Sequence, residues 1–105
     1  MTDPVIVLCT CSGPEEGERL ARQLVELRLA ACVNLIGGVK SVYRWREKVE
    51  EATEMLMVIK SSQAQFAGLR DAIQKLHSYE VPEIVALPIT AGSESYLKWL
   101  GEQIQ

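Results

Sequence analysis

The feature that most constrains this chain is a pair of predicted strands too long for a domain of its size. Residues 32–45 have the pattern of one strand, and residues 49–60, after a turn near Glu47-Lys48, supply its partner. At ~3.3 Å per residue, residues 32–46 alone would extend roughly 50 Å. A domain of this length has a radius of gyration near ~13 Å and a diameter of about 35 Å. The hairpin tip must therefore bend sharply or project beyond its own core.

Two aromatic side chains lie near the tip of the predicted hairpin. Tyr43 and Trp45 share one face of the predicted second strand. Gly37-Gly38 interrupts this strand and predicts a bulge or bend. A projecting tip that carries Tyr and Trp needs another surface to bury them, so the pattern predicts self-association.

Two amphipathic segments predict helices that follow strands. Ser12 can cap the first, in which apolar residues recur at helical spacing to about Arg28 or Leu29. Ser62 opens the second with a capping box, because Gln65 lies three residues later. A third, shorter helix is predicted at the C-terminal end of the sequence.

The order of these elements predicts an α+β fold. Apolar runs at residues 5–10 and 84–89 add two strands, and Pro88 indicates that the end of the last one lies at a sheet edge or leaves the sheet. The order matches the ferredoxin-like βαββαβ arrangement, a four-stranded antiparallel sheet with helices on one face, with an extra C-terminal helix. The chain is predicted to form one domain over residues 1–105. The other sheet face is left open, and its apolar residues again suggest a partner.

Composition argues against several classes of function. Eleven Lys and Arg are outnumbered by fourteen Asp and Glu, giving a net charge of −3, which argues against nucleic acid. No apolar run approaches the ~20 residues needed to cross a bilayer, and the first four residues lack the basic segment of a signal peptide. Three cysteines, an odd number, fit a reducing compartment better than a disulfide framework. We therefore expect a cytoplasmic protein with no nucleic-acid or membrane partner.

Two cysteines are candidate metal ligands. Cys9 and Cys11 lie two apart, so a strand points both side chains to the same face. Two thiolates placed in this way can hold a soft cation such as Cu(I). The alternative is that Cys9 packs as a small apolar residue while Cys11 lies at the strand exit.

The single histidine opens a connection rich in polar groups. His77, Tyr79, Glu80 and Glu83 lie within seven residues, on a segment that Pro82 keeps from being a helix interior. Such a set can bind a divalent ion, hydrogen-bond a small ligand or perform acid–base chemistry. The structural alternative is a histidine at a helix C-terminus, followed by a turn whose Tyr hydroxyl satisfies local backbone groups.

Lys60 and the aromatic pairs are further candidates. Lys60 ends an apolar strand, so its ammonium either extends to water or joins a polar pocket. The aromatic pairs are Tyr43/Trp45 and Tyr96/Trp99. Each pair lines either an interface or a ligand pocket.

Seven segments, taken in order, resemble one known family. They are residues 7–10 (VLCT), 29–34 (LAACVN), 41–45 (SVYRW), 54–60 (EMLMVIK), 76–84 (LHSYEVPEI), 86–89 (ALPI) and 96–100 (YLKWL). Together they are similar to the CutA divalent-cation-tolerance proteins over nearly the whole chain.

This resemblance implies a ferredoxin-like subunit in a homotrimer, with long hairpins that reach neighbouring subunits. It also implies binding of divalent metals, copper in particular, and a role in metal tolerance in the cytoplasm. The family positions implicated in metal contact match Cys9, Glu83 and, more loosely, His77. Those around the inter-subunit clefts match Tyr43, Trp45, Lys60, Tyr79 and Trp99.

The sequence departs from the family pattern at three places. Ser78 replaces a usual proline, which predicts a looser loop around His77. Gly37-Gly38 lacks the proline common before the glycine, and Arg46-Glu47-Lys48 replaces a glycine-bearing hairpin turn. The last two changes should affect strand geometry and the hairpin tip more than function.

Three functions from different classes follow. The preferred one is a non-enzymatic homotrimer that binds copper or another divalent metal ion through Cys9, His77 and Glu83, because thiolate and imidazole suit copper and a carboxylate broadens affinity. An alternative is a regulator whose small-molecule ligands sit in clefts between subunits, as in ferredoxin-like trimers of the nitrogen-signalling type. An enzyme with His77 and Glu83 as acid and base ranks last, since no nucleophile–base–orienter set can be assembled.

Overall fold

Strands and helices alternate along the part of the chain that the computed structural model describes, residues 3–104. The strands are β1 (Pro4–Cys11), β2 (Cys32–Trp45), β3 (Lys48–Ser62) and β4 (Val85–Pro88). The helices are α1 (Pro14–Glu26), α2 (Phe66–Leu76) and α3 (Glu94–Gln103), and a 3₁₀ turn at Gln63–Gln65 precedes α2. Positions 1, 2 and 105, the ends of the predicted domain, lie outside the described residues.

The strands form one antiparallel sheet in the order β2-β3-β1-β4. β1 pairs with β3 from Pro4 opposite Ser62 to Cys11 opposite Met55, and its other edge pairs with β4. This is the predicted ferredoxin-like order, with α3 added. Pro88 lies on the edge strand β4, as predicted.

β2 and β3 form the long hairpin. Their pairing runs from Cys32 opposite Lys60 to Trp45 opposite Lys48, with a register shift at the two glycines that confirms the predicted bulge. The molecule extends 44 Å along its longest axis but 25 and 22 Å along the others. Residues 42–51 are exposed. The tip therefore projects beyond the core.

The hairpin turns at Arg46 and Glu47, one residue earlier than predicted. Both residues have positive φ, 51° and 69°. A two-residue hairpin turn of this hand favours Asn and Gly, which adopt positive φ at lower cost. The pairing of Trp45 with Lys48 places the turn here.

The core lies between one sheet face and the helices α1 and α2. Side chains alternate along a strand, so every second residue of β1 points into this core. The fully buried residues of this core are Val7, Cys9 and Cys11 of β1, Met57 and Ile59 of β3, Leu20 and Leu24 of α1, and Leu69 and Ile73 of α2.

Both ends of α1 differ from the sequence prediction. The N-cap is Gly13, and no side chain caps the helix. Ser12 acts instead as a donor, through its backbone N–H and hydroxyl, to the carboxylate of Glu16. The helix ends at Glu26, earlier than predicted, because Arg28 takes a left-handed conformation with φ 58°.

The opposite sheet face carries apolar side chains that no described element covers. Ile36, Val85 and Leu87 are 48, 47 and 49 % exposed. Their strand partners place them on the face opposite to the helical core. The open face predicted from the sequence is therefore present.

α3 packs against β3 at the end of the described chain. Ser93 caps it by accepting the N–H of Tyr96, and Leu100 is fully buried. Arg28 donates to the carbonyl of Gln103 at 3.3 Å and links α3 to the turn after α1. Across residues 3–104, no helix combines the length and the apolar character needed to cross a membrane.

Candidate functional site

The loop between α2 and β4 begins at His77, whose side chain is fully buried. Its backbone N–H donates to the carbonyl of Ile73 at 2.8 Å, so His77 ends α2. Nδ1 accepts the N–H of Tyr79 at 3.0 Å, and the ring proton therefore lies on Nε2, which donates to the Thr10 carbonyl at 2.8 Å. Both ring nitrogens are used within the chain.

Glu16, in the first turn of α1, holds the same loop. Oε1 accepts the N–H and hydroxyl of Ser12 at 3.0 and 2.8 Å, and Oε2 accepts the N–H of Ser78 at 2.8 Å. Burial raises the pKa of Glu16, but the hydrogen bonds from Ser12 and Ser78 outweigh it and hold the pKa at about 2. The carboxylate is therefore charged at neutral pH and ties α1 to the loop.

The backbone N–H of Ser78 is one of the groups that hold this loop against α1. A proline has no backbone N–H, so the residue usual in the family would leave Glu16 without this donor. This 2.8 Å bond opposes the loosening that the sequence predicts for the loop around His77.

Tyr79 links the loop to the hairpin. Its hydroxyl donates to Glu54 Oε2 on β3 at 2.6 Å, and its ring lies 4.6 Å from that of His77, centroid to centroid. Burial raises the pKa of Tyr79, and the hydrogen bond to Glu54 raises it further. The interpretation in which this hydroxyl satisfies local backbone groups is wrong, because its acceptor is a carboxylate 25 residues away in sequence.

A cleft lies between this loop and the outer part of the hairpin. Its volume is about 720 Å³, within the range of small-molecule sites. Three carboxylates reach it, from Glu54, Glu80 and Glu83, and none of the described residues that line it is Lys or Arg. The remaining lining residues are Thr10, Ser41, Val42, Tyr43, Trp45, Tyr79, Val81 and Pro82.

The structure separates the predicted site residues. Those that line the cleft are Tyr43, Trp45, Tyr79 and Glu83. Lys60 lies near the other end of β3, paired with Ile6, and Trp99 packs on Tyr96 in α3. Within one subunit, these two residues are therefore not part of the cleft lining.

Cys9 lies in the core on the helix side of the sheet and is fully buried. Burial first, and then the nearby Cys11 and Glu83, raise the pKa of its thiol to about 12. The thiol is therefore protonated at neutral pH, as expected of a packed apolar cysteine.

The predicted metal ligands fit an ion only in part. Within residues 3–104, no group of three or more Cys, His, Asp or Glu side chains is placed to hold a metal. Glu83 is exposed, whereas Cys9 would have to lose its proton and His77 would have to give up a hydrogen bond. The ligand set Cys9, His77 and Glu83 stays a prediction.

Comparison with known proteins places this fold and this loop in one family. The family described as CutA1 divalent ion tolerance protein matches residues 5–103. This chain belongs to the CutA1 family. The family is named for tolerance of divalent ions and not for a catalysed reaction.

Relatives in the CutA1 family match most of the chain. It is 46% identical over 97 residues to the divalent-cation tolerance protein CutA of Thermus thermophilus, covering 92% of this chain and 94% of that protein. It is 44% identical over 96 residues to the chloroplastic protein CutA of Arabidopsis thaliana, covering 91% of this chain. The chain spans about half of the Arabidopsis protein, 53% of its length.

Solved CutA1 structures share the fold. The divalent cation tolerance protein (Cut A1) from Thermus thermophilus superposes with a TM-score of 0.95 at 44% identity, covering 97% of this chain and 99% of that one. CutA1 from Oryza sativa also gives 0.95, at 38% identity, covering 98% and 94% of the two chains. The α+β architecture of this family member is thereby confirmed.

Sequence reasoning about this CutA1 protein missed Glu16 and Glu54. Glu16 lies in the first turn of α1, where the positive end of the helix favours a carboxylate, and that preference is the signal that could have identified it. Glu54 carries no such signal, because it ends an acidic stretch that a hairpin tip normally exposes to solvent. It is 8 % exposed, with Tyr79 of the loop bonded to its carboxylate.

Proposed function

We propose that this chain is a non-enzymatic homotrimer that binds divalent metal ions, copper among them, and acts in tolerance of those ions. The observation that carries the proposal is the anionic cleft, to which Glu54, Glu80 and Glu83 bring carboxylates. Carboxylate oxygens are common ligands of divalent cations. Membership of a family named for divalent ion tolerance supports the same function.

Glu83 is the proposed first ligand, because it is exposed at the cleft. Cys9 and His77 are the proposed soft donors behind the cleft wall, since thiolate and imidazole suit copper. The Cys9 thiol has a pKa raised to about 12 by burial, so a metal must displace its proton. Copper affinity is therefore expected to rise with pH.

The proposed trimer is supported by two exposed apolar surfaces. Tyr43 and Trp45 on the projecting tip are 44 and 40 % exposed, and the open sheet face is uncovered. Association that covers both would remove apolar area from water. In such an assembly we propose that Lys60 and Trp99 reach the cleft of a neighbouring subunit. Light scattering is then expected to give three times the chain mass of 11.7 kDa.

A non-enzymatic role is supported by the hydrogen bonds of His77. A general acid or base must direct a ring nitrogen toward substrate. Both nitrogens of His77 bond within the chain instead, one to the Thr10 carbonyl and one to the Tyr79 N–H.

We also propose a cytoplasmic location. Cys9, Cys11 and Cys32 are free thiols, which suits a reducing compartment.

Calorimetry with Cu(II) and Zn(II) tests metal binding. We expect binding tighter than millimolar in the unmodified chain and affinity about tenfold lower in Glu83→Gln, the loss of roughly one charged ligand. Cys9→Ser should lower affinity for copper more than for zinc, because thiolate is the softer ligand.

Glu94→Gln is the matched control, since Glu94 is an exposed carboxylate on α3, outside the cleft lining. Equal affinity in Glu83→Gln and Glu94→Gln, or no binding tighter than millimolar, would contradict the proposal.

The volume and aromatic walls of the cleft favour a second candidate, a regulator that responds to a small molecule. A ligand bound only by the folded protein raises the melting temperature. A thermal-shift screen of nucleotides, organic anions and organic cations tests this candidate. If Tyr79→Ala and Lys60→Ala leave every observed shift unchanged, the cleft is not the ligand site.

A further inference from the structure

The walls of the cleft combine π faces with negative charge. Tyr43, Trp45 and Tyr79 contribute rings, while the carboxylates come from Glu54, Glu80 and Glu83. A cation over an aromatic face is attracted by the ring quadrupole, and carboxylates add charge-assisted hydrogen bonds. Such walls favour a ligand that is both positively charged and partly apolar.

One cationic side chain of the protein, that of Arg46, already contacts two residues that line the cleft. The guanidinium of Arg46 lies 5.3 Å from the ring centroid of Trp45. The same group lies 3.4 Å from Oε1 of Glu80. A ring and a carboxylate of the cleft are therefore spaced to hold a guanidinium between them.

Glu54 presents a second acceptor to the cleft. It is 8 % exposed, and its Oε2 atom accepts the Tyr79 hydroxyl. Among residues 3–104, no hydrogen bond or ion pair reaches the other oxygen, Oε1. Glu54 is a largely buried residue that lines the cleft, so this oxygen without a donor is a ready acceptor for a ligand N–H.

We propose that the cleft binds a small organic cation, a guanidinium or primary ammonium group on a short alkyl chain, with the charged group on Glu54 and the chain over Tyr43. The volume of about 720 Å³ accommodates such a molecule. This inference names the ligand class of the second candidate function and rests on that candidate, but it requires none of Cys9, His77 and Glu83.

Calorimetry with agmatine, in buffer with a metal chelator, tests this inference on the full chain. We expect agmatine to bind, and N-butylurea, which resembles an alkylguanidinium but is neutral, to bind at least tenfold more weakly. Glu54→Gln keeps an acceptor for Tyr79 but removes the charge, and should weaken agmatine at least tenfold. Tyr43→Leu, at a half-exposed position, should weaken it without loss of folding.

Glu51→Gln is the matched control. Glu51 is an exposed carboxylate of the same hairpin that pairs with Lys40 and does not line the cleft. The inference is overturned if agmatine gives no heat up to about 10 mM, if N-butylurea binds equally well, or if Glu54→Gln and Glu51→Gln behave alike.

Failure of this inference is distinguishable from failure of the second candidate function. If organic anions raise the melting temperature and agmatine does not, the ligand class is wrong while the regulator candidate stands. If no ligand of either charge binds, both are overturned, and metal binding is still decided separately by Glu83→Gln.

Discussion

The carboxylate of Glu16 accepts the backbone N–H of Ser78 at 2.8 Å, across 62 residues of sequence. Through this bond the first turn of α1 holds the loop that forms one wall of the cleft. The next residue, Tyr79, bonds to His77 and Glu54. The position of this cleft wall thus depends on Glu16, which does not itself line the cleft.

Glu16→Gln is expected to destabilise the fold. The amide cannot accept all the donors that meet the carboxylate, so we expect the free energy of unfolding to fall by about 2–4 kcal/mol. Urea denaturation at one protein concentration measures this. Glu18→Gln, at an exposed position of the same helix, should change the unfolding free energy by less than about 0.5 kcal/mol.

The same substitution predicts a change in acid stability. The pKa of Glu16 is about 2 in the folded chain, below its ordinary value of 4.5. Its contribution is therefore complete above pH 4.5 and is lost as the pH falls toward 2. The unfolding free energy of Glu16→Gln should fall less steeply in this window than that of the unmodified chain. Parallel curves would contradict the role of the charge.

Ser78→Pro tests the hydrogen bond between Ser78 and Glu16 by removing its donor. The preceding residue, His77, already has the extended backbone that precedes proline, with φ −76° and ψ 145°. Loss of the N–H donor should still lower the unfolding free energy by about 1–2 kcal/mol relative to Ser78→Ala, which keeps the N–H. Equal stability of the two variants would show that the bond to Glu16 contributes nothing.

Tyr79→Phe removes the donor to Glu54 and keeps the ring against His77. We expect a loss of about 1.5–3 kcal/mol, because a buried carboxylate loses a charged hydrogen bond. Tyr96→Phe, on the exposed face of α3, is the control. Burial raises the pKa of Tyr79, so its phenolate absorbance should appear only when alkali unfolds the protein.

The hairpin turn offers a stabilising change. Glu47 has φ 69°, in the left-handed region that a non-glycine residue occupies at a cost of about 1–2 kcal/mol. Glu47→Gly should raise the denaturation midpoint, with a gain of about 1 kcal/mol after the entropy of glycine is counted. Lys48→Gly, inside β3, should lower it. A lower midpoint for Glu47→Gly would contradict this account of the turn.

Most of the fold could be predicted because its signals are local. Alternation identifies strands, helical spacing and capping residues identify helices, and the glycines identify the bulge in β2. The errors lie at element ends. Gly13 replaces Ser12 as the cap of α1, and the hairpin turns at Arg46 and Glu47, because backbone conformation at a boundary depends on what the flanking elements contact.

The candidate site could be predicted only in part. The motif resemblance named residues that do line the cleft, such as Tyr43 and Glu83. It placed Tyr43, Lys60 and Trp99 around clefts between subunits, and within one subunit Lys60 and Trp99 lie outside the cleft lining. A list of motif positions carries no distances, so it cannot say which of these residues a single subunit brings together.

The sequence by itself determined the order of elements, the excess length of the hairpin and the open apolar face, because each follows from residue patterns within a short window. Only the tertiary structure decided which polar groups meet. Glu16 with Ser78 and Glu54 with Tyr79 are separated by 62 and 25 residues. The partners of a buried carboxylate are chosen by how distant elements pack, and that packing gives this cleft its wall and its charge.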